Sequence, residues 1–171
     1  MKLYKKLFLT FLFSQSILNA QISKAEIIAT GLTCSMCSNA INKQLKSIAD
    51  VQDVAIDLNS NTFVVYFKKN STIEPKVLKD KVENAGFFIG SMIITLPFEN
   101  ANIVANTLFQ NQNLNLIFVE KPIQILNGQT SIKIIDEGFV TKKEFKKWKK
   151  TYFKNDIFGL QNPTNYHVIV I

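Results

Sequence analysis

The stretch ATGLTCSMCSNAI, Ala29 to Ile41, contains the only two cysteines of a 171-residue chain, Cys34 and Cys37. An apolar run, Glu26-Ile27-Ile28-Ala29, leads into Gly31, which suits a strand ending in a loop. From Cys37 onward, Ala40, Ile41, Leu45 and Ile48 recur at the spacing of one helix face. A disulfide, a redox couple and a metal clip are all compatible with a Cys-x-x-Cys pair at such a junction. The surroundings have to choose.

Downstream, Val54, Ile56 and Leu58 alternate with Ala55 and Asp57, as in a half-buried strand. Asn59-Ser60-Asn61 is a turn cluster, and Thr62 to Phe67 is rich in β-branched and aromatic residues, so the two runs read as a hairpin. Glu74-Pro75 opens a second helix with Val77, Leu78, Val82 and Ala85 as its buried face, and Gly86 stops it. Phe87 to Leu96 is a strand. With the strand at 22–30 the order is βαββαβ, an α+β sandwich of the ferredoxin-like kind over residues 22–96.

Residues 97–171 read as a second small α+β unit of unknown topology. Leu114 to Glu120, Pro122 to Leu126 and Ser131 to Ile135 have strand character, with Asn127-Gly128 as a turn between the last two. Thr141-Lys142-Lys143-Glu144 is a capping box. The helix it opens carries Phe145, Trp148 and Tyr152 as an aromatic stripe. Its lysines, at 142, 143, 146, 147, 149 and 150, read as a solvated face or as a docking surface for an acidic partner or an anionic membrane. His167 alternates with apolar residues in a terminal strand and reads as structural or surface.

The first twenty residues have the order of a secretory signal peptide: Lys2, Lys5 and Lys6, an apolar run from Leu7 to Leu18, then Ala20. A membrane span wants ~20 apolar residues, so cleavage after Ala20 and export, in a bacterium to the periplasm, are expected. The chain carries +7, with twenty lysines and no arginine, and +4 once the three signal lysines are set aside. A charge that small, without the bidentate arginine fork, makes nucleic acid a poor partner. With 47% apolar residues there is ample material for a packed core.

Export bears on the thiols. Outside the cytoplasm cysteine pairs tend to oxidise unless they are used. Two cysteines three positions apart close a very small loop, so a purely structural disulfide gains little. Backbone N–H groups at a helix N-terminus favour thiolates, and two thiolates on one loop can converge on a soft cation. Structural zinc wants four ligands, whereas two sulfurs suffice for Cu(I), and equally for Hg(II). Ligand counting therefore favours Cu(I) or Hg(II) over Zn(II); Cu(I) is the first expectation and Hg(II) the next.

Residues 22–96 resemble the heavy-metal-associated domain family, which includes copper metallochaperones, the N-terminal modules of copper-exporting P-type ATPases and exported mercury-binding proteins. The family loop Gly-Met-Thr-Cys-x-x-Cys reads here Gly31-Leu32-Thr33-Cys34-Ser35-Met36-Cys37, with leucine replacing the methionine that tucks under the metal loop. A later Ala-Gly-aromatic element reads Ala85-Gly86-Phe87. The resemblance implies Cys34 and Cys37 as ligands, Gly31 and Thr33 as loop-shaping residues, and Phe87 packed beneath the loop. Met36 faces solvent or adds a thioether ligand. It further implies a carrier that passes its ion by thiol exchange to a metal-transporting membrane protein or another metal-binding protein, touching the membrane at most transiently. The alternatives are a thiol–disulfide oxidoreductase using the same pair and a non-metallated interaction module. No phosphate loop, Ser-His-Asp set or spaced carboxylate pair marks an enzyme.

Overall fold

In the computed structural model, residues 21–32, 35–111, 113–119, 123–152 and 164–171 are described. The signal peptide expected at 1–20, Thr33, Cys34, Glu120 and Pro122 lie outside the described residues.

Alternation builds the central strand. In β1 (Lys24–Thr30) Ala25, Ile27 and Ala29 are buried while Lys24, Glu26 and Ile28 turn the other way. β1 pairs antiparallel with β3 (Thr62–Phe67) on one side and β4 (Phe88–Val104) on the other. β3 in turn pairs with the edge strand β2 (Val51–Asp57). Helices α1 (Ser35–Lys46) and α2 (Pro75–Asn84) contribute Ile41, Leu45, Leu78 and Val82 to one core with Phe63, Val65 and Ile94. Each such side chain, fully buried, stabilises by roughly 2–3 kcal/mol. The expected βαββαβ order is present.

Two helical positions differ from the sequence reading. Val77 is 39% exposed, because it stands one residue, ~100° of helix, off the Leu78–Val82 line. Ala40 is exposed and Ser38, 4% exposed, takes its place on the inner face of α1 with Ile41 and Leu45.

The strand read as ending at Leu96 continues to Val104. Pro97 does not break it. Thr95 directs its carbonyl to Ser23 N–H (2.8 Å), and Pro97, two residues on, faces the same side, where the pairing with β1 has already run out. The boundary expected between residues 96 and 97 thus falls inside β4. Along its free side β4 pairs with β7 (Ile123–Ile134), from Met92↔Ile134 to Val104↔Ile123.

β7 also corrects the expected turn at Asn127-Gly128. The strand runs straight through it, and Gly128, with φ +74°, lies opposite Phe98 at a bulge in which β4 carries the extra residue. Asn100 beside it has φ +44°. Asn-Gly readily supplies positive φ, and here that freedom bends a strand pair instead of reversing the chain.

β5 (Leu108–Asn111), β6 (Leu114–Phe118) and β8 (Asn165–Val170) complete one eight-stranded mixed sheet, ordered β2-β3-β1-β4-β7-β8-β6-β5. Leu116, Phe118, Tyr166 and Val168 join the core of α1 and α2. Their neighbours Ile117 and Ile169 turn to the opposite face, where α3 (Lys142–Tyr152) lays Phe145, Trp148 and Tyr152 against Ile135 and Val140. Thr141 caps α3 by accepting the Glu144 N–H at 3.2 Å. The Glu144 carboxylate goes elsewhere, to Lys133 Nζ (2.6 Å) and Trp148 Nε1 (3.3 Å), so only half of the capping box reciprocates.

Candidate metal centre

Three local devices set the loop that follows β1. Gly31 has φ +88°, a conformation an L side chain resists, and turns the chain out of the strand. Thr30 Oγ1 donates to the Phe88 carbonyl at 3.3 Å and ties the end of β1 to the start of β4. Between these strands the register slips, Ile28 facing Ser91 and Ala29 facing Ile89, which leaves Gly90 as the bulged residue. A Cβ at Gly90 would stand 2.6 Å from Thr30 Cγ2, so the close approach of the strands needs glycine there.

The end of α2 places the aromatic residue. Gly86 N–H bonds the Glu83 carbonyl (2.8 Å) and Phe87 N–H the Val82 carbonyl (3.2 Å), with Gly86 at φ +88°. This double closure is a Schellman motif, and it directs the residue after the glycine back over the helix. Phe87 is half-buried against the core, and a Cβ on Gly31 would lie 3.9 Å from its Cδ1. Phe87 thus stands beside Gly31, where the chain leaves β1.

Cys37 is the third residue of α1 and is half-buried. The first turn of α1 carries no acid, so its backbone N–H groups act on a sulfur there without a competing negative charge. Met36 is 79% exposed and points to solvent. Leu32 packs against the core, where a hydrophobe of that volume supports the loop from below. Among the described residues no three of His, Cys, Asp and Glu cluster as a metal site. His167 is on β8, bonded to Asp136.

Phe88, 66% exposed, carries no signal in the sequence beyond being a second aromatic directly after Phe87. It lines an open cleft of about 510 Å³ with Thr30, Val140, Lys142 and Phe145, which joins the loop end of β1 to the start of α3.

Residues 26–88, the segment that spans this loop and both helices, match the family model of the heavy-metal-associated domain. This segment is a heavy-metal-associated domain. The heavy-metal-associated domain is 32% identical over 66 residues to a probable copper-transporting ATPase, HMA5, of Arabidopsis thaliana, covering 39% of this chain and 6% of that protein. Against a copper-exporting P-type ATPase of Staphylococcus haemolyticus it is 33% identical over 66 residues, 39% of this chain and 8% of the relative. The chain therefore spans less than a tenth of the length of these relatives. Among solved structures, the yeast copper transporter domain CCC2A is similar at 29% identity and a TM-score of 0.35, over 38% of this chain and 88% of that one.

Proposed function

We propose that this chain is an exported carrier that binds one Cu(I) ion through Cys34 and Cys37 and hands it to a partner by thiol exchange. The observation that carries this reading is the heavy-metal-associated match across a Cys-x-x-Cys loop, in a segment whose relatives are copper-transporting ATPases. On binding, each thiol gives up its proton and two thiolates hold a d¹⁰ ion near-linearly. A two-sulfur site leaves room for a partner sulfur to enter as third ligand and one original thiolate to leave. A second exchange of the same kind, in which another partner thiolate enters and the remaining thiolate leaves, completes the transfer. Hg(II) asks for the same two sulfurs, whereas Zn(II) wants ligands beyond them. The acceptor is a metal-transporting membrane protein or a second metal-binding protein, and the signal-peptide pattern of residues 1–20 supports an encounter outside the cytoplasm. The role is carriage, not catalysis.

The test is anaerobic titration of the reduced full chain with Cu(I) against a chromophoric Cu(I) chelator. One ion per chain, lost in Cys34→Ser and in Cys37→Ser, supports the reading. A reduced protein that leaves all copper on the chelator but turns over a disulfide substrate is a thiol oxidoreductase instead.

A further inference from the structure

The charge of this chain is concentrated on one helix. Outside residues 1–20 and α3 there are eleven lysines against twelve acids, whereas α3 alone has six lysines and one acid. At ~100° per residue, Lys142, Lys143, Lys146, Lys147, Lys149 and Lys150 fill an arc of about 160° that holds no other residue type. All six are exposed. The one acid, Glu144, is turned away and engaged by Lys133 and Trp148. Elsewhere lysines pair with acids, as Lys46 with Asp53, Lys79 with Glu83 and Lys133 with Glu144. None of the six forms an ion pair among the described residues. The opposite side of the helix is anchored by buried Phe145 and by Trp148 and Tyr152, stacked at 5.5 Å, so the lysine face is held rigidly outward.

We propose that this face of α3 seats the protein on an anionic lipid bilayer. Interfaces between proteins are built on aromatic and arginine anchors in a dry centre and are depleted in lysine. The arc contains no such anchor. A headgroup layer asks only for a dense array of positive charge, which compact, hydrated ammonium groups on flexible stems supply. No apolar residue lies in the arc, so the contact is superficial and reversible, without insertion of the helix. Thr30 and Lys142 line one cleft, so the start of α3 adjoins the loop end of the heavy-metal-associated domain. For a carrier that serves a membrane acceptor, seating α3 shortens the search for it. That consequence rests on the proposed carrier role, while the bilayer contact does not.

The experiment is sedimentation of the metal-free full chain with vesicles of phosphatidylglycerol and phosphatidylcholine, and with vesicles of phosphatidylcholine alone. Each lysine near an anionic surface contributes about fivefold in partitioning. Replacing Lys143, Lys146, Lys147 and Lys150 by Gln is expected to weaken binding to the anionic vesicles by about a hundredfold or more. Replacing Lys43, Lys46, Lys69 and Lys76 by Gln changes the net charge equally and is expected to cost under tenfold. High salt should abolish the α3-dependent part. Equal losses in the two quadruple variants overturn the proposal. So does retention on a polyglutamate column with no preference for anionic vesicles, which puts an acidic protein in place of the bilayer. The absence of added copper keeps the result separate from the metal reading.

Discussion

Asp136 holds His167 twice: Oδ2 accepts the His167 backbone N–H at 2.7 Å, and Oδ1 stands 2.7 Å from the ring Nδ1. A carboxylate only accepts, so Nδ1 carries the proton. The chain's single histidine is 2% exposed, and this pair locks the end of β7 to the middle of β8. Asp136→Ala leaves a buried N–H and a buried ring donor without their acceptor. The expected loss is about 3 kcal/mol of unfolding free energy, read from the urea midpoint at unchanged slope. A loss under about 0.5 kcal/mol would mean that water replaces the carboxylate at no cost.

Tyr166 predicts the alkaline limit of stability. It is 3% exposed, and burial pushes its hydroxyl from 10.0 up to about 12, against a smaller opposing effect of the Lys76 N–H that donates to it. The unfolded chain ionises first, so the contribution is fully present below about pH 10 and is lost as pH rises toward 12. Urea unfolding across that window should show a decline of roughly 2 kcal/mol that Tyr166→Phe lacks. The same slope in both proteins would remove Tyr166 as the cause.

Gly90→Ala tests the strand contact behind the loop. The added methyl meets Thr30 Cγ2 at 2.6 Å, and Thr30 is too short to swing far without releasing the Phe88 carbonyl. A destabilisation of about 1–3 kcal/mol is expected. Because Thr30 leads directly into Gly31, weaker Cu(I) retention against the chelator should accompany it. Gly86→Ala is the comparison: a Cβ there meets nothing within 4 Å, so only the strain at φ +88° remains, about 1 kcal/mol.

Ending the chain after Leu96 should not release a well-behaved small domain. Met92 to Leu96 would lose the pairing with Ile134 to Thr130 and present an open, apolar edge. Such edges recruit other strands. Sedimentation velocity is expected to show concentration-dependent association of the 21–96 fragment and a monomeric full chain. A monomeric fragment of full stability would contradict the role assigned to β7.

The N-terminal half was legible because each of its signals had one meaning. Alternation in Val54–Asp57 and Thr62–Phe67, Pro75 at a helix start and Gly86 at its end all agree with the pairing found. Farther on, single signals had two uses. Asn127-Gly128 supplies positive φ to a turn or to a bulge, and only the partner strand decides which. Pro97 reads as a breaker unless the end of β1 is known. Of the loop, Gly31, Cys37 and Phe87 could be named from spacing and resemblance. Phe88 and the Asp136–His167 pair could not, the latter because its partners are 31 residues apart and meet only through the order of β7 and β8.

The run of β4 from Phe88 to Val104, continuous in chain through its bulges, has a mechanical consequence. A flexible tether would let the loop end and the lysine-bearing half swing independently, each oriented by its own encounters. A shared strand makes the sheet a single lever, so force or orientation imposed at one half is inherited by the other through backbone and ladder. Whatever meets the end of β1 meets it at one fixed attitude to α3.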